Sequence, residues 1–151
     1  MEMMIDWGGG KIFLKVVYYG PAMSGKTTSL KFIFKKLNLI DRLRSVETSS
    51  GRTLLFDFGN IEIPLNESWK VVVNALSATG QDYYVATRPT VLKGTDGVVF
   101  VADAQRSMIK HNIRSWNELS LMLGSYGKDV PIVVCLNKVD LEGRVIDILH
   151  D

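Results

Sequence analysis

Apolar residues fall in short runs separated by polar, glycine-marked stretches, and the period changes from strand-like to helical and back along the chain. Ile12 to Tyr19 is β-branched and aromatic and reads as a strand, while Lys26 to Leu37 is built of good helix formers. Asn38 to Gly51 is polar and carries no clear period. Thr53 to Phe58 predicts a second strand, Gly59-Asn60 a turn, and Trp69 to Ala78, with Val71-Val72-Val73 inside it, the antiparallel partner of that strand. Past Gly80-Gln81 a short helical stretch leads to Gly94. Gly97 to Asp103 is then a continuous apolar run of the kind that sits mid-sheet with both faces covered. Ile109 to Leu123 has helical spacing, and Ile132 to Leu136 is a last apolar run. The alternation predicts an α/β doubly wound sheet with Val16-Val17 and Val98-Val99 in central strands. Met3, Met4 and Gly8-Gly9-Gly10 read as a flexible leader or a short extra strand.

Two motifs sit at strand ends in this pattern. Gly20-Pro21-Ala22-Met23-Ser24-Gly25-Lys26-Thr27 fits the phosphate loop G-x-x-x-x-G-K-[ST], between the first strand and the first helix, where the motif has physical sense. Gly20 and Gly25 allow a turn tight enough for backbone N–H groups to converge on a β-phosphate. Lys26 supplies a cation for the β and γ oxygens, and Thr27 a hydroxyl for Mg²⁺. Ala22, Met23, Ser24 and Thr28 complete the nucleotide-contacting set of loop and helix start, whose partial positive charge favours phosphate. Asn137-Lys138-Val139-Asp140 fits N-K-x-D at the carboxyl end of the Ile132 run, where open α/β sheets bind ligands. The Asp140 carboxylate can accept from the ring N–H and amine of guanine, whereas adenine would face it with a lone pair. Asn137 would tie this loop to the phosphate loop, and the aliphatic stem of Lys138 would cover one face of the base. Together the motifs predict GTP and GDP as ligands.

Composition sets limits on this reading. The chain has 151 residues, enough for one domain with a single core, here taken as 1–151. A net charge of +2, dispersed along the chain, does not argue for nucleic acid or an anionic membrane surface. Cys135 lies in a strand that reads as buried, the setting of a small core residue in a reducing compartment. His111 and His150 have no companions at metal-ligand spacing and read as surface residues. Trp69, Trp116 and Tyr18-Tyr19 read as packing groups. No run reaches membrane-spanning length, the first residues lack a leader pattern, and Glu2 excludes N-myristoylation, so a cytoplasmic location with no membrane anchor is expected.

Four segments then carry a closer resemblance: Lys15 to Pro21 into the phosphate loop, Gly51-Arg52-Thr53-Leu54-Leu55-Phe56-Asp57-Phe58, Thr79 to Tyr84, and Gly94 to Asp103. They resemble the Ras-superfamily GTPases of the MglA type, prokaryotic polarity and motility switches, over nearly the whole chain. The resemblance implies a three-layer P-loop NTPase fold with a mostly parallel sheet whose second strand is antiparallel. It implies a small GTPase that hydrolyses GTP to GDP and is accelerated by a homodimeric roadblock-fold partner. Thr53 resembles the switch threonine whose hydroxyl binds Mg²⁺ and whose N–H meets the γ-phosphate only in the GTP state. Gly80 resembles the glycine whose N–H contacts that phosphate, and Gln81 the glutamine that orients the attacking water. Arg52 resembles an arginine finger acting in cis. The switch loops would lie near 45–60 and 79–90.

Three departures from the Ras pattern bear on turnover. Ser77 stands where most relatives have a metal-side aspartate, which removes a negative charge and suggests weaker Mg²⁺ retention. Asp57 could compensate, but alternation against Leu54, Phe56 and Phe58 places it on an outward face. Ala22 replaces a common glycine, and its methyl is expected to crowd Gln81 or an incoming arginine, slowing hydrolysis without preventing binding. The chain stops at Asp151, so the last strand and helix of the Ras-like fold are expected to be missing. That should leave apolar surface beside the first strand and favour instability or an oligomer. Two other readings stay open: a guanine-nucleotide-dependent scaffold with little turnover, and an ATP-using P-loop enzyme in which Asn137 to Asp140 is accidental.

Overall fold

A computed structural model describes residues 4–47, 54–78, 88–125 and 129–141. The strands are β1 (Met4–Asp6), β2 (Lys11–Tyr19), β3 (Arg44–Glu47), β4 (Leu54–Pro64), β5 (Lys70–Ala78), β6 (Gly97–Asp103) and β7 (Ile132–Asn137). The helices are α1 (Lys26–Lys36), α2 (Arg88–Leu92) and α3 (Ile109–Ser125), with 3-10 turns at Ile40–Arg42 and Arg106–Met108. The strands form one sheet in the order β3-β4-β5-β2-β6-β7, and β1 pairs with the start of β2. β2 runs parallel to β5 and β6, and β6 parallel to β7, whereas β4 is antiparallel to β3 and β5, and β1 to β2. β2 and β6 thus lie side by side within the sheet, and all four parallel strands end at one edge, where loops collect.

Alternation along β2 assigns its two faces to different helices. Val17 and Tyr19 pack with Val98, Phe100, Val91, Leu92, Leu119 and Leu123 towards α2 and α3, while Tyr18 joins Val101, Ala75, Leu30 and Phe34 towards α1. The result is three layers, each apolar face of the sheet covered by a helix whose buried positions recur every three to four residues. The three-layer α/β architecture expected from the sequence is what the chain adopts.

Four local expectations are corrected. Gly59-Asn60 is no turn: β4 runs straight through it to Pro64, paired throughout with β5, and the hairpin closes at Leu65 to Trp69. Gly59 is small because the Phe34 ring lies over it, where a Cβ would come within 2.6 Å of the ring. The polar stretch holds β3, an edge strand on β4 whose register shifts at Val46/Glu47; polar residues and an irregularity suit an edge open to water. Cys135 is exposed, as are Val133 and Val134, on β7, which ends the strand order among the described residues. Val133 and Cys135 line an apolar hollow of about 490 Å³ together with Tyr18, Val99, Phe32 and Ile33. The fourth, Asp57, belongs to the site. Of the two options for the N-terminus, the extra strand is found as β1, with Trp7 edge-on to Trp69. His111 is exposed, and His150 lies outside the described residues.

Candidate nucleotide-binding site

The loop from β2 to α1 takes a shape only glycine permits at its ends. Gly20 has φ 150°, and a Cβ there would lie 2.2 Å from the carbonyl oxygen of Val101 on the adjacent strand. Gly25 has φ 103° and stands at the N-terminus of α1, which has no side-chain cap and no acid in its first turn. The first-turn amides therefore keep their partial positive charge for a ligand. Met23, at φ 62°, projects outward as the loop's exposed rim, Ala22 is half-buried, Ser24 is fully buried and Thr28 is exposed.

Lys26 is buried under this arch. Its ammonium donates to the carbonyls of Gly20 at 3.0 Å and Pro21 at 2.6 Å, which binds the two ends of the loop together. Burial first, then the nearby cations of Arg88 and Lys138, push its pKa down to about 8. A phosphate brought to this place would meet a cation short of counter-charge.

The N-K-x-D segment meets the loop directly. Asn137, the last residue of β7, donates its side-chain amide to the carbonyl of Ser24 at 2.9 Å. Lys138, at φ 63°, donates from its ammonium to the carbonyl of Met23 at 2.6 Å and to the carboxylate of Asp103 at 2.8 Å. Both ends of its side chain are fixed, leaving the aliphatic stem as a surface beside the loop. Asp103 is completely buried at the end of β6; burial alone would raise its pKa, but bonds from Lys138 and Gln105 outweigh this and hold it below the usual range. It was not singled out from the sequence, although an acid closing a buried parallel strand at the ligand-binding edge is a readable signal. Asp140 is exposed at the open side of the same loop, free in position to meet an incoming base.

Asp57 overturns the expectation of an outward face. It is 3% exposed, accepts from Thr27 Oγ1 at 2.9 Å and Ser45 Oγ at 2.5 Å, and pairs in register with Ser77 on β5. Ser77 Oγ lies 3.5 Å from Thr27 Oγ1. The odd-numbered face of β4, with Asp57 and Gly59, is the one turned to α1, while Phe58 is exposed. A carboxylate on the neighbouring strand thus stands beside the hydroxyl that occupies the usual acid position. Thr27, Asp57, Ser45 and Ser77 are hard oxygen groups suited to Mg²⁺, directly or through water. Among the described residues no three acidic, His or Cys side chains gather as a metal site, here or elsewhere. Arg52, Thr53, Gly80 and Gln81 lie outside the described residues, so the structure places neither the expected second metal ligand nor the two expected catalytic groups.

Among the described residues no helix is long and apolar enough to cross a membrane. Residues 15–145 match the Gtr1/RagA G protein conserved region. The chain is 38% identical over 146 residues to the mutual gliding-motility protein MglA of Myxococcus xanthus, covering 93% of this chain and 75% of that protein. It is 30% identical over 128 residues to an uncharacterized protein of Methanocaldococcus jannaschii, covering 85% of this chain and 71% of the other. It is also 27% identical over 138 residues to DnaJ homolog subfamily C member 27 of Rattus norvegicus, where it spans 47% of the longer protein.

Proposed function

Because this chain belongs to the small Ras-like GTPases of the MglA type, we propose that it is a switch that binds GTP with Mg²⁺, hydrolyses it to GDP, and signals through the segments near 45–60 and 79–90. The observation that carries the reading is the Asn137 to Ser24 bond, which joins a base-reading segment to a phosphate cradle at 2.9 Å. A chance N-K-x-D on a solvated loop has no reason to be built into the phosphate loop.

In this mechanism Asp140 accepts two hydrogen bonds from guanine, and the stem of Lys138 supports the ring. Amides of the loop and the Lys26 ammonium hold the β- and γ-phosphates, Lys26 exchanging its bonds to Gly20 and Pro21 for phosphate oxygens. Thr27 and Asp57, with Thr53 by resemblance, would hold the metal. Held there, Mg²⁺ would supply positive charge to offset that of the phosphates. Gln81 orients the attacking water, the N–H of Gly80 meets the γ-phosphate, and Arg52 meets charge that develops on the transferring group. Release of Thr53 and Gly80 when the γ-phosphate leaves is the conformational output.

By resemblance the activator is a homodimeric roadblock-fold protein, the setting is cytoplasmic, and the process is polarity or motility. The test is GTP hydrolysis by the full chain with and without such a partner. Arg52→Ala and Gln81→Leu should lower stimulated turnover by on the order of a hundredfold while GTP affinity changes little. Tight GTP binding with no phosphate release under any of these conditions would favour the scaffold reading, for which Ala22 and Ser77 supply the rationale.

A further inference from the structure

Two ion pairs join a buried side chain to a partner on another element: Arg88 on α2 with Glu118 on α3, and Asp103 at the end of β6 with Lys138 just after β7. The second pair reaches the base-reading segment. Asp103 Oδ2 accepts from the Lys138 ammonium at 2.8 Å, and the same ammonium donates to the Met23 carbonyl of the phosphate loop at 2.6 Å. One lysine thus ties the end of β6 to the rim of the phosphate loop.

The carboxylate is itself held from behind. Asn112 on α3 accepts from the Asp103 N–H at 3.0 Å and donates to the Asp103 carbonyl at 2.7 Å, so both polar groups of that backbone are engaged by one buried side chain. Gln105 donates to the carboxylate from its backbone at 3.0 Å and from its side-chain amide at 3.0 and 3.2 Å. The acid is therefore a fixed point, and the lysine is the part that could move.

Two features of Lys138 need that fixed point. Its backbone at φ 63° is left-handed, a conformation that residues with a long side chain adopt uncommonly. Its side chain is 27% exposed, so without the carboxylate the ammonium would keep one neutral acceptor and have water as an alternative. A charge-assisted bond to a buried acid removes that freedom, and the stem between ammonium and backbone is left with few rotamers. The segment so fixed leads directly to Asp140, two residues on.

We propose that Asp103 is a positioning residue for guanine nucleotide, setting the residence time of bound GDP by holding Lys138 against the phosphate loop. It acts through Lys138 and not on the nucleotide itself. The inference rests on the reading above, in which the stem of Lys138 supports the base. An acid that served only the fold would affect binding whether or not the lysine is present, whereas a positioning acid has little effect once the ammonium is gone.

The test is Asp103→Asn, which keeps the size and removes the charge, read as release of fluorescent GDP from the full chain. The dissociation rate should rise by about tenfold, with the association rate within about twofold of the starting protein. In Lys138→Met, or Lys138→Gln should that variant not fold, the stem remains without its ammonium, and adding Asp103→Asn should change release by less than about twofold. Asp103→Ser should act in the same direction as the asparagine variant and serves if that one does not fold. Unchanged release in Asp103→Asn, or a rise of equal size with and without the Lys138 ammonium, would overturn the positioning role alone. A starting protein that holds ADP as firmly as GDP would instead overturn the guanine reading, and this role with it.

Discussion

Gly25 and Asn137 approach so closely that a Cβ on Gly25 would lie 2.2 Å from the Asn137 side-chain nitrogen. The contact locks the phosphate loop to the base-reading loop, and glycine is required there twice over, for the space and for φ 103°. Gly25→Ala should weaken GDP binding by about tenfold or more and destabilise the fold by about 1–2 kcal/mol from the left-handed backbone alone. Gly124→Ala is the control. It sits in α3 with nothing within 4 Å of a new Cβ, and should be neutral or stabilise by up to about 1 kcal/mol. Isothermal titration and thermal melts of the two variants compare them; equal behaviour would contradict the lock.

Lys26 makes binding pH-dependent with a defined sign. Its pKa in the ligand-free protein is about 8, and a phosphate beside it favours the protonated form, raising the pKa in the complex. Affinity should therefore be flat below about pH 7 and fall as pH rises through about 8 to 9, with net proton uptake on binding in that window. Calorimetry in buffers of different ionisation enthalpy measures this uptake. Folding follows the opposite sign: a lysine depressed in the folded state disfavours folding while protonated, so its contribution improves as pH rises from about 8 towards the unfolded value.

Asp57→Asn keeps the bonded shape at the Thr27 side chain and removes the charge. The Mg²⁺ concentration needed to support GTP binding should rise by about tenfold, with metal-free GDP affinity nearly unchanged. Magnesium titrations of fluorescent nucleotide release would show it. An unaltered metal requirement would make Asp57 a structural partner of Thr27 and Ser45 only.

Much of the layout was legible because glycine, apolar runs and strand-end motifs state it locally. The phosphate loop, α1, α3, β2 and β6 follow from period and punctuation, and the apolar run of β6 is buried as expected. What was illegible depended on neighbours. The apolar residues on the other phase of its strand predict an outward Asp57, and only the position of α1 and Thr27 decides which face turns in. Cys135 belongs to a run as apolar as any core strand, yet burial is a property of what packs on it. Gly59 looks like a turn until Phe34 is set above it. Arg88 and Glu118 are thirty positions apart, and no periodicity joins them.

Phosphate release from GTP and ATP in parallel, with the Asp140→Asn variant assayed on xanthosine triphosphate, tests the central claim most directly. A carboxylate matched to the two guanine donors should give release from GTP and almost none from ATP. The amide variant should lose GTP and gain the xanthine nucleotide, whose extra carbonyl accepts from the new donor. ATP turned over as fast as GTP, or a variant with unchanged preference, would contradict the account.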